Sequence, residues 1–227
     1  MIKTVSTRAG RTRALSRERR EQQKVELRAA ILAAAQTEFD GHGYENFSLR
    51  RVAERIGYSP TTIYLYFRNK DELLLETVKS GFAAFDLAIQ NAAQTSDQPL
   101  RQLEALGRAY LEFGIDNPTL YRLMFMQPSD FHLFPRLLGS GTPAQELEGE
   151  IENAQRVIAQ VLLVDAVTRG IERGELRAGD ARMLADALWA SVHGLVSLSA
   201  SPLMEPRHAR RVAAPLLQTV IEGLKQR

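Results

Sequence analysis

Apolar residues return every three or four positions along most of the chain, and the breaks between these stretches are made by Gly, Pro, Ser and Asn. Leu27, Ile31, Ala35 and Phe39 share one stripe, which predicts a helix from about Ser16 to a stop at Gly41–Gly43. Leu49, Val52, Ala53 and Ile56 repeat the pattern over two turns, with Ser48 placed as an N-cap and Gly57 as the terminator. Ser59 caps a third short helix whose first turn holds Pro60, where no backbone N–H is needed. A longer helix follows over about 69–94, its start marked by Asp71 and Glu72 at the positive end of the helix dipole. Further helices are predicted over 99–116, 118–126, 130–138, 144–173, 180–200 and 206–225. No segment alternates as a strand would and no fixed repeat appears, so the expected fold class is all-α.

The expected organisation is a basic mobile arm over 1–20, a compact three-helix unit over 21–70 joined to a connector helix over 69–94, and a larger helical domain over 95–227. Charge supports the division. Residues 1–70 carry 14 Lys+Arg against 7 Asp+Glu, whereas 71–227 carry 15 against 20. A basic first third on an acidic remainder points to a polyanion met by the N-terminal part alone. The absence of cysteine removes disulfides, thiol nucleophiles and Cys-ligated zinc. The first twenty residues contain no apolar stretch of the kind a signal peptide needs, so a cytoplasmic protein is expected. The longest uncharged run, 187–204, contains serines, a histidine and a proline, and suits a helix buried between protein surfaces better than a membrane span.

Two short helices joined by a tight glycine turn, packed on a preceding helix, make a helix-turn-helix. Stepping 100° per residue along the second places Ile63 and Phe67 on the core side. Thr61, Thr62 and Leu65 then face away, with Tyr64 and Tyr66 at the edges. Threonine hydroxyls can bond base edges or phosphates, Leu65 can meet a thymine methyl, and tyrosine hydroxyls can reach phosphates. Arg50, Arg51 and Lys70 flank this face, and Ser48 and Ser59 place hydroxyls at helix starts. These ten residues are the candidate DNA-contacting set.

The stretch "ILAAAQTEFDGHGYENFSLRRVAERIGYSPTTIYLYFRNKDELL" resembles the DNA-binding domain of the TetR (tetracycline-repressor-like) family of transcriptional regulators over about residues 28–77. The matching features are the helix end from Phe39 to Gly43, the Ser48 cap, Val52-Ala53, Gly57, Thr62, Ile63-Tyr64, Phe67 and Lys70 before acids and leucines. Thr61 departs from the pattern, since members often carry glycine there. The resemblance implies a homodimer on a roughly palindromic double-stranded DNA operator. It also implies phosphate contacts from Ser48, Thr62, Tyr64, Tyr66 and Lys70, with Thr61 and Leu65 nearest the bases.

In the larger domain, "LWASVHG" resembles the tryptophan-histidine-glycine motif that names one class of TetR C-terminal domains, and "NPTLYRLMF" is similar to another stretch of that class. Tyr110, Phe113, Tyr121, Met124 and Phe125 concentrate aromatic and thioether side chains able to line an apolar pocket. Trp189 and His193 would complete it, His193 adding a polar group; a packed core pair is the alternative for these two. The opposite face of the same helix, Leu184, Leu188, Ser191 and Leu195, is assigned to a dimer interface together with Leu216, Val220 and Leu224 of the last helix, the alternative being that both faces are internal core of a single chain.

The expected function is a ligand-responsive, sequence-specific regulator, a repressor released from its operator by a small apolar or amphipathic effector. The alternative is a nonspecific architectural DNA-binding dimer. No cofactor is expected, and the lack of paired His, Asp and Glu spacing argues against a metal. An enzyme acting through His193 or His132 has no accompanying nucleophile, phosphate loop or ligand constellation.

Overall fold

The computed structural model describes residues 8–126 and 158–226. The helix expected over 130–138, the first part of that over 144–173, and His132 lie outside the described residues. Those residues form nine helices: α1 (Arg8–His42), α2 (Leu49–Arg55), α3 (Pro60–Tyr64), α4 (Lys70–Ala93), α5 (Pro99–Asp116), α6 (Pro118–Phe125), α7 (Ile158–Glu172), α8 (Ala181–Ser199) and α9 (Pro206–Leu224). Among them there is no strand. One isolated antiparallel bridge pairs Leu176 with Lys225. No helix among the described residues is long and apolar enough to cross a membrane.

The chain divides into two compact units at Thr77/Val78, inside α4. In the first unit the expected stripe is the core: Ile31, Ala35, Val52, Ala53 and Ile63 are fully buried and Phe67 nearly so. Ser48 adopts an extended backbone and its hydroxyl accepts the Arg51 N–H; Ser59 does the same for Thr62. Gly57 terminates α2 at φ 73°, a left-handed conformation that a side chain resists. α3 is shorter than expected. Its last turn tightens, with Leu65 and Tyr66 N–H bonding the carbonyls of Thr62 and Ile63 three residues back.

One expectation is corrected at the N-terminus. α1 begins at Arg8, so residues 8–20, expected as part of a basic arm, are its first turns. Ala, Leu, Arg and Glu all favour helix, and the apolar stripe that set the expected start marks only where packing begins: residues 15–26 are exposed, and full burial starts at Ile31.

The second unit is built around α5, which packs against α7, α8 and α9. Asp180 caps α8 by accepting the N–H groups of Arg182 and Met183 at 2.8 and 3.1 Å. Gly114 is where α5 and α8 approach closely: a Cβ there would lie 2.3 Å from Val196 Cγ1. Leu184, Leu188 and Leu195 are each under a tenth exposed inside this single unit, and so is Leu224. The leucine face assigned to a partner is therefore internal core. The mistake has a physical cause: α8 is covered on several sides by its own chain. Its exposed residues are Arg182, Met183, Ala187, Trp189, Ala190 and Leu198, with Met183 70% exposed.

Candidate functional sites

In the first unit the outward face of α3 is as the helical period requires. Thr61 is exposed, Tyr64 and Leu65 are 56% and 80% exposed, and Thr62 and Tyr66 are half-buried. Leu65, the C-cap of α3, gains nothing from burial in this chain and lies on the same outward side as Thr61. Ser59 and Thr62 hydroxyls lie 3.0 Å apart, so the two are oriented together at the start of α3.

The flanking cations divide. Arg50 is 78% exposed, held only by a 2.9 Å pair with Glu54 along its own helix. Arg51 differs: its Nε donates to Glu38 Oε1 at 2.6 Å and its terminal nitrogen to the Asn46 carbonyl. Glu38 is completely buried and also accepts the Ser48 N–H. Arg51 thus neutralises a buried carboxylate and ties α2 to α1, a structural task that sequence placed among the DNA contacts. Lys70 sits 4.1 Å over the Tyr44 ring and donates to the Tyr44 carbonyl at 3.3 Å, and Tyr44 in turn donates to Asp71 at 2.6 Å. Arg28, missed in the sequence, pairs with Glu76 and lies over the Phe67 ring, fastening α1 to α4 and to the segment that follows α3.

In the second unit a cavity of about 350 Å³ opens among α4, α5, α6, α7, α8 and α9. Of the expected ligand residues, Tyr110, Met124, Phe125, Trp189 and His193 line it. Phe113 and Tyr121 do not; Phe113 packs edge-on against Phe85, and Tyr121 stands behind, fully buried. Leu188, Leu216 and Val220, assigned to the dimer, line the cavity too. Phe85, Leu106, Gln160 and Leu163 were not singled out in the sequence, because nothing but tertiary packing distinguishes them from other helix-face residues.

At one end of this apolar space four side chains form a hydrogen-bonded relay. Trp189 Nε1 donates to Tyr110 Oη at 3.2 Å, the Tyr110 and Tyr121 hydroxyls are 2.8 Å apart, and Tyr121 Oη is 2.5 Å from His193 Nδ1. Tyr110 Oη is also 3.1 Å from Nδ1. Burial drives every titration here toward the neutral form: it pushes Tyr110 up to about 12, raises Tyr121 well beyond that, and lowers His193. The core pair and the pocket were alternatives in the sequence, and the structure combines them: Trp189 and His193 rings pack at 5.3 Å, yet both face the cavity. Among the described residues no group of three or more His, Asp or Glu is arranged to hold a metal.

A helix-turn-helix with an outward reading face, followed by a helical unit containing an apolar cavity, defines the class of one-chain DNA-binding regulators with an attached sensor. Residues 31–77 match the model of bacterial regulatory proteins of the tetR family, and residues 103–223 match that of the tetracyclin repressor-like C-terminal domain. The chain belongs to the TetR family of transcriptional regulators. Similar solved structures include a protein with unknown function from Rhodococcus sp. RHA1, 26% identical over 88% of this chain and 96% of that one, with a TM-score of 0.66. The ketosteroid transcriptional regulator KstR2 of Mycobacterium tuberculosis is 20% identical over 88% and 95%, with a TM-score of 0.68. The regulator FadR from Bacillus subtilis, solved with stearoyl-CoA, is 18% identical over 86% and 98%, with a TM-score of 0.65.

Proposed function

We propose that this regulator is a cytoplasmic, ligand-responsive repressor that binds a roughly palindromic operator as a homodimer and leaves it when an apolar or amphipathic effector enters the second unit. The observation that carries this is the cavity of about 350 Å³, apolar along most of its lining and polar at the Trp189–His193 end, the usual build of a small-molecule site. The neighbours named for ketosteroid regulation and solved with stearoyl-CoA support an effector of apolar body. The motif around Trp189, His193 and Gly194 supports membership of the tryptophan-histidine-glycine class.

On the DNA, Thr61 and Leu65 contact base edges, while Ser48, Arg50, Ser59, Thr62, Tyr64 and Tyr66 supply phosphate contacts. Lys70 reaches phosphate from its perch on Tyr44. The dimer forms through the outward face of α8, where Met183 and Leu198 are exposed, in place of the buried leucines. Release follows from linkage: an effector that binds better to a protein shape unable to span two half-sites weakens DNA binding by its differential affinity. A tenfold effect needs about 1.4 kcal/mol of preference. α4, whose residues belong to both units, is the element through which that preference acts.

Selection of binding sites from random duplex DNA tests the reading. The expected result is a two-fold symmetric site bound at least about a thousandfold more tightly than unrelated DNA at physiological salt. A ratio near one would establish the architectural alternative instead.

A further inference from the structure

The proton count of the buried relay has a definite polarity. An indole N–H can only donate, so Tyr110 accepts from Trp189 and must pass its own proton onward. Tyr121 lies 2.8 Å away and takes it, and the Tyr121 proton then points to His193 Nδ1 at 2.5 Å. A phenol is a stronger acid than a neutral imidazole N–H, and an imidazole nitrogen is a stronger base than a phenol oxygen, so this direction is the favoured one. Each buried hydroxyl then has a donor and an acceptor, as buried polar groups require. With Nδ1 accepting, a neutral imidazole carries its proton on Nε2. Among the described residues Nε2 has no hydrogen-bond partner, and His193 is half-buried on the cavity wall.

The rest of the lining sharpens the picture. None of the lining residues among those described is Asp, Glu, Lys or Arg. Gln160 turns its amide nitrogen to Asp186 Oδ1 at 3.0 Å, which leaves its carbonyl oxygen as an acceptor. Trp189 N–H and the Tyr110 hydroxyl are already committed to the relay. The uncommitted donors among the described lining side chains are therefore His193 Nε2–H and the second amide N–H of Gln160, and His193 Nε2–H is the one the relay orients.

We infer that the Trp189–Tyr110–Tyr121–His193 relay fixes His193 as the Nε2–H tautomer, an oriented donor in an apolar cavity, and so selects effectors that carry an uncharged carbonyl on an apolar body. This rests on the cavity being an effector site, as proposed above. Among the described lining residues a cationic head finds no carboxylate and a carboxylate finds no cation, so against them either would be desolvated without a counter-charge. A plain hydrocarbon fills the space but leaves the donor unmatched. Tyr121, which does not line the cavity, is a positioning residue: it acts by holding the tautomer.

Two measurements on the full-length protein decide the matter. Long-range ¹H–¹⁵N correlation of the histidine side chains at neutral pH is expected to show His193 with its proton on Nε2, and a shift toward a tautomer mixture when both hydroxyls within reach of Nδ1 are removed in Tyr110→Phe/Tyr121→Phe. Trp189, the single tryptophan, reports binding through its fluorescence. In titrations, 2-octanone is expected to bind about tenfold or more tightly than octylamine, with n-octane as the reference that makes no hydrogen bond. His193→Phe is expected to weaken 2-octanone about tenfold relative to n-octane while still binding both, and should that variant not fold, the tautomer measurement stands alone. An Nδ1–H tautomer, or the same ketone-to-alkane affinity ratio in wild type and His193→Phe, overturns the inference and leaves the effector cavity standing. Failure of every probe to bind overturns both.

Discussion

The two units handle polar groups in opposite ways. In the first, hydroxyls and an unburied leucine are displayed on and just after a five-residue helix whose geometry is set from behind by Ile63, Phe67 and a buried Glu38–Arg51 tie. In the second, the polar groups are taken inside and spent on one another, so that three side chains, separated from His193 by up to 83 positions in sequence, converge on its imidazole. A surface that reads DNA needs donors and acceptors open to a polar partner. A cavity that takes an apolar molecule needs them satisfied except at the point of recognition.

The largest expected effect tests whether the reading face depends on its hidden support. Phe67→Ala should destabilise the first unit by about 3–5 kcal/mol, seen as an early thermal transition with loss of DNA binding, while Trp189 fluorescence of the second unit is retained. Its counterpart in the second unit is Gly114→Ala. The new Cβ would collide with Val196, and a loss of about 1–3 kcal/mol is expected in thermal melts, with operator recognition intact at low temperature.

Smaller effects separate display from support within the first unit. Arg50→Ala should weaken binding to all sequences alike and reduce the slope of log affinity against log salt by about one. Thr61→Ala should instead reorder affinities among operator variants, by about 1 kcal/mol at the contacted step. Uniform loss in both would mean that Thr61 touches only backbone.

The smallest effect concerns Asp86 of α4, whose Oδ1 is buried without a partner and whose pKa burial raises above 3.8. Because the folded value exceeds the unfolded one, the fold loses stability as pH rises from about 4 through the raised value. Asp86→Asn should therefore raise the melting temperature at pH 7 and leave it unchanged in strong acid. An identical shift at both pH values would break the link to ionisation.

Much of this was legible in the amino-acid sequence. The caps at Ser48 and Ser59 and the proline opening α3 set helix starts by local chemistry alone, and most observed ends lie within a residue or two of expectation. The polar and apolar faces of α3 followed from the helical period. What depended on neighbours was not legible. Arg51 and Arg50 are adjacent cations, and only the buried carboxylate of Glu38, thirteen residues earlier, separates their tasks. The leucines of α8 looked like an interface because a wheel shows that a helix has two apolar faces and not what covers each one. The aromatic cluster was anticipated as a group, yet its direction of proton donation needed distances.

The contact between Gly114 and Val196 leaves a mark beyond stability. Because the two positions share one fixed volume, neither can drift alone: a side chain gained at 114 must be answered by bulk lost at 196. Among descendants of this chain the pair should evolve as a single character, and Gly114→Ala should regain its stability when Val196→Ala is added. A second-site suppressor screen begun at either helix would thus lead to the other, 82 residues away in sequence and touching in space.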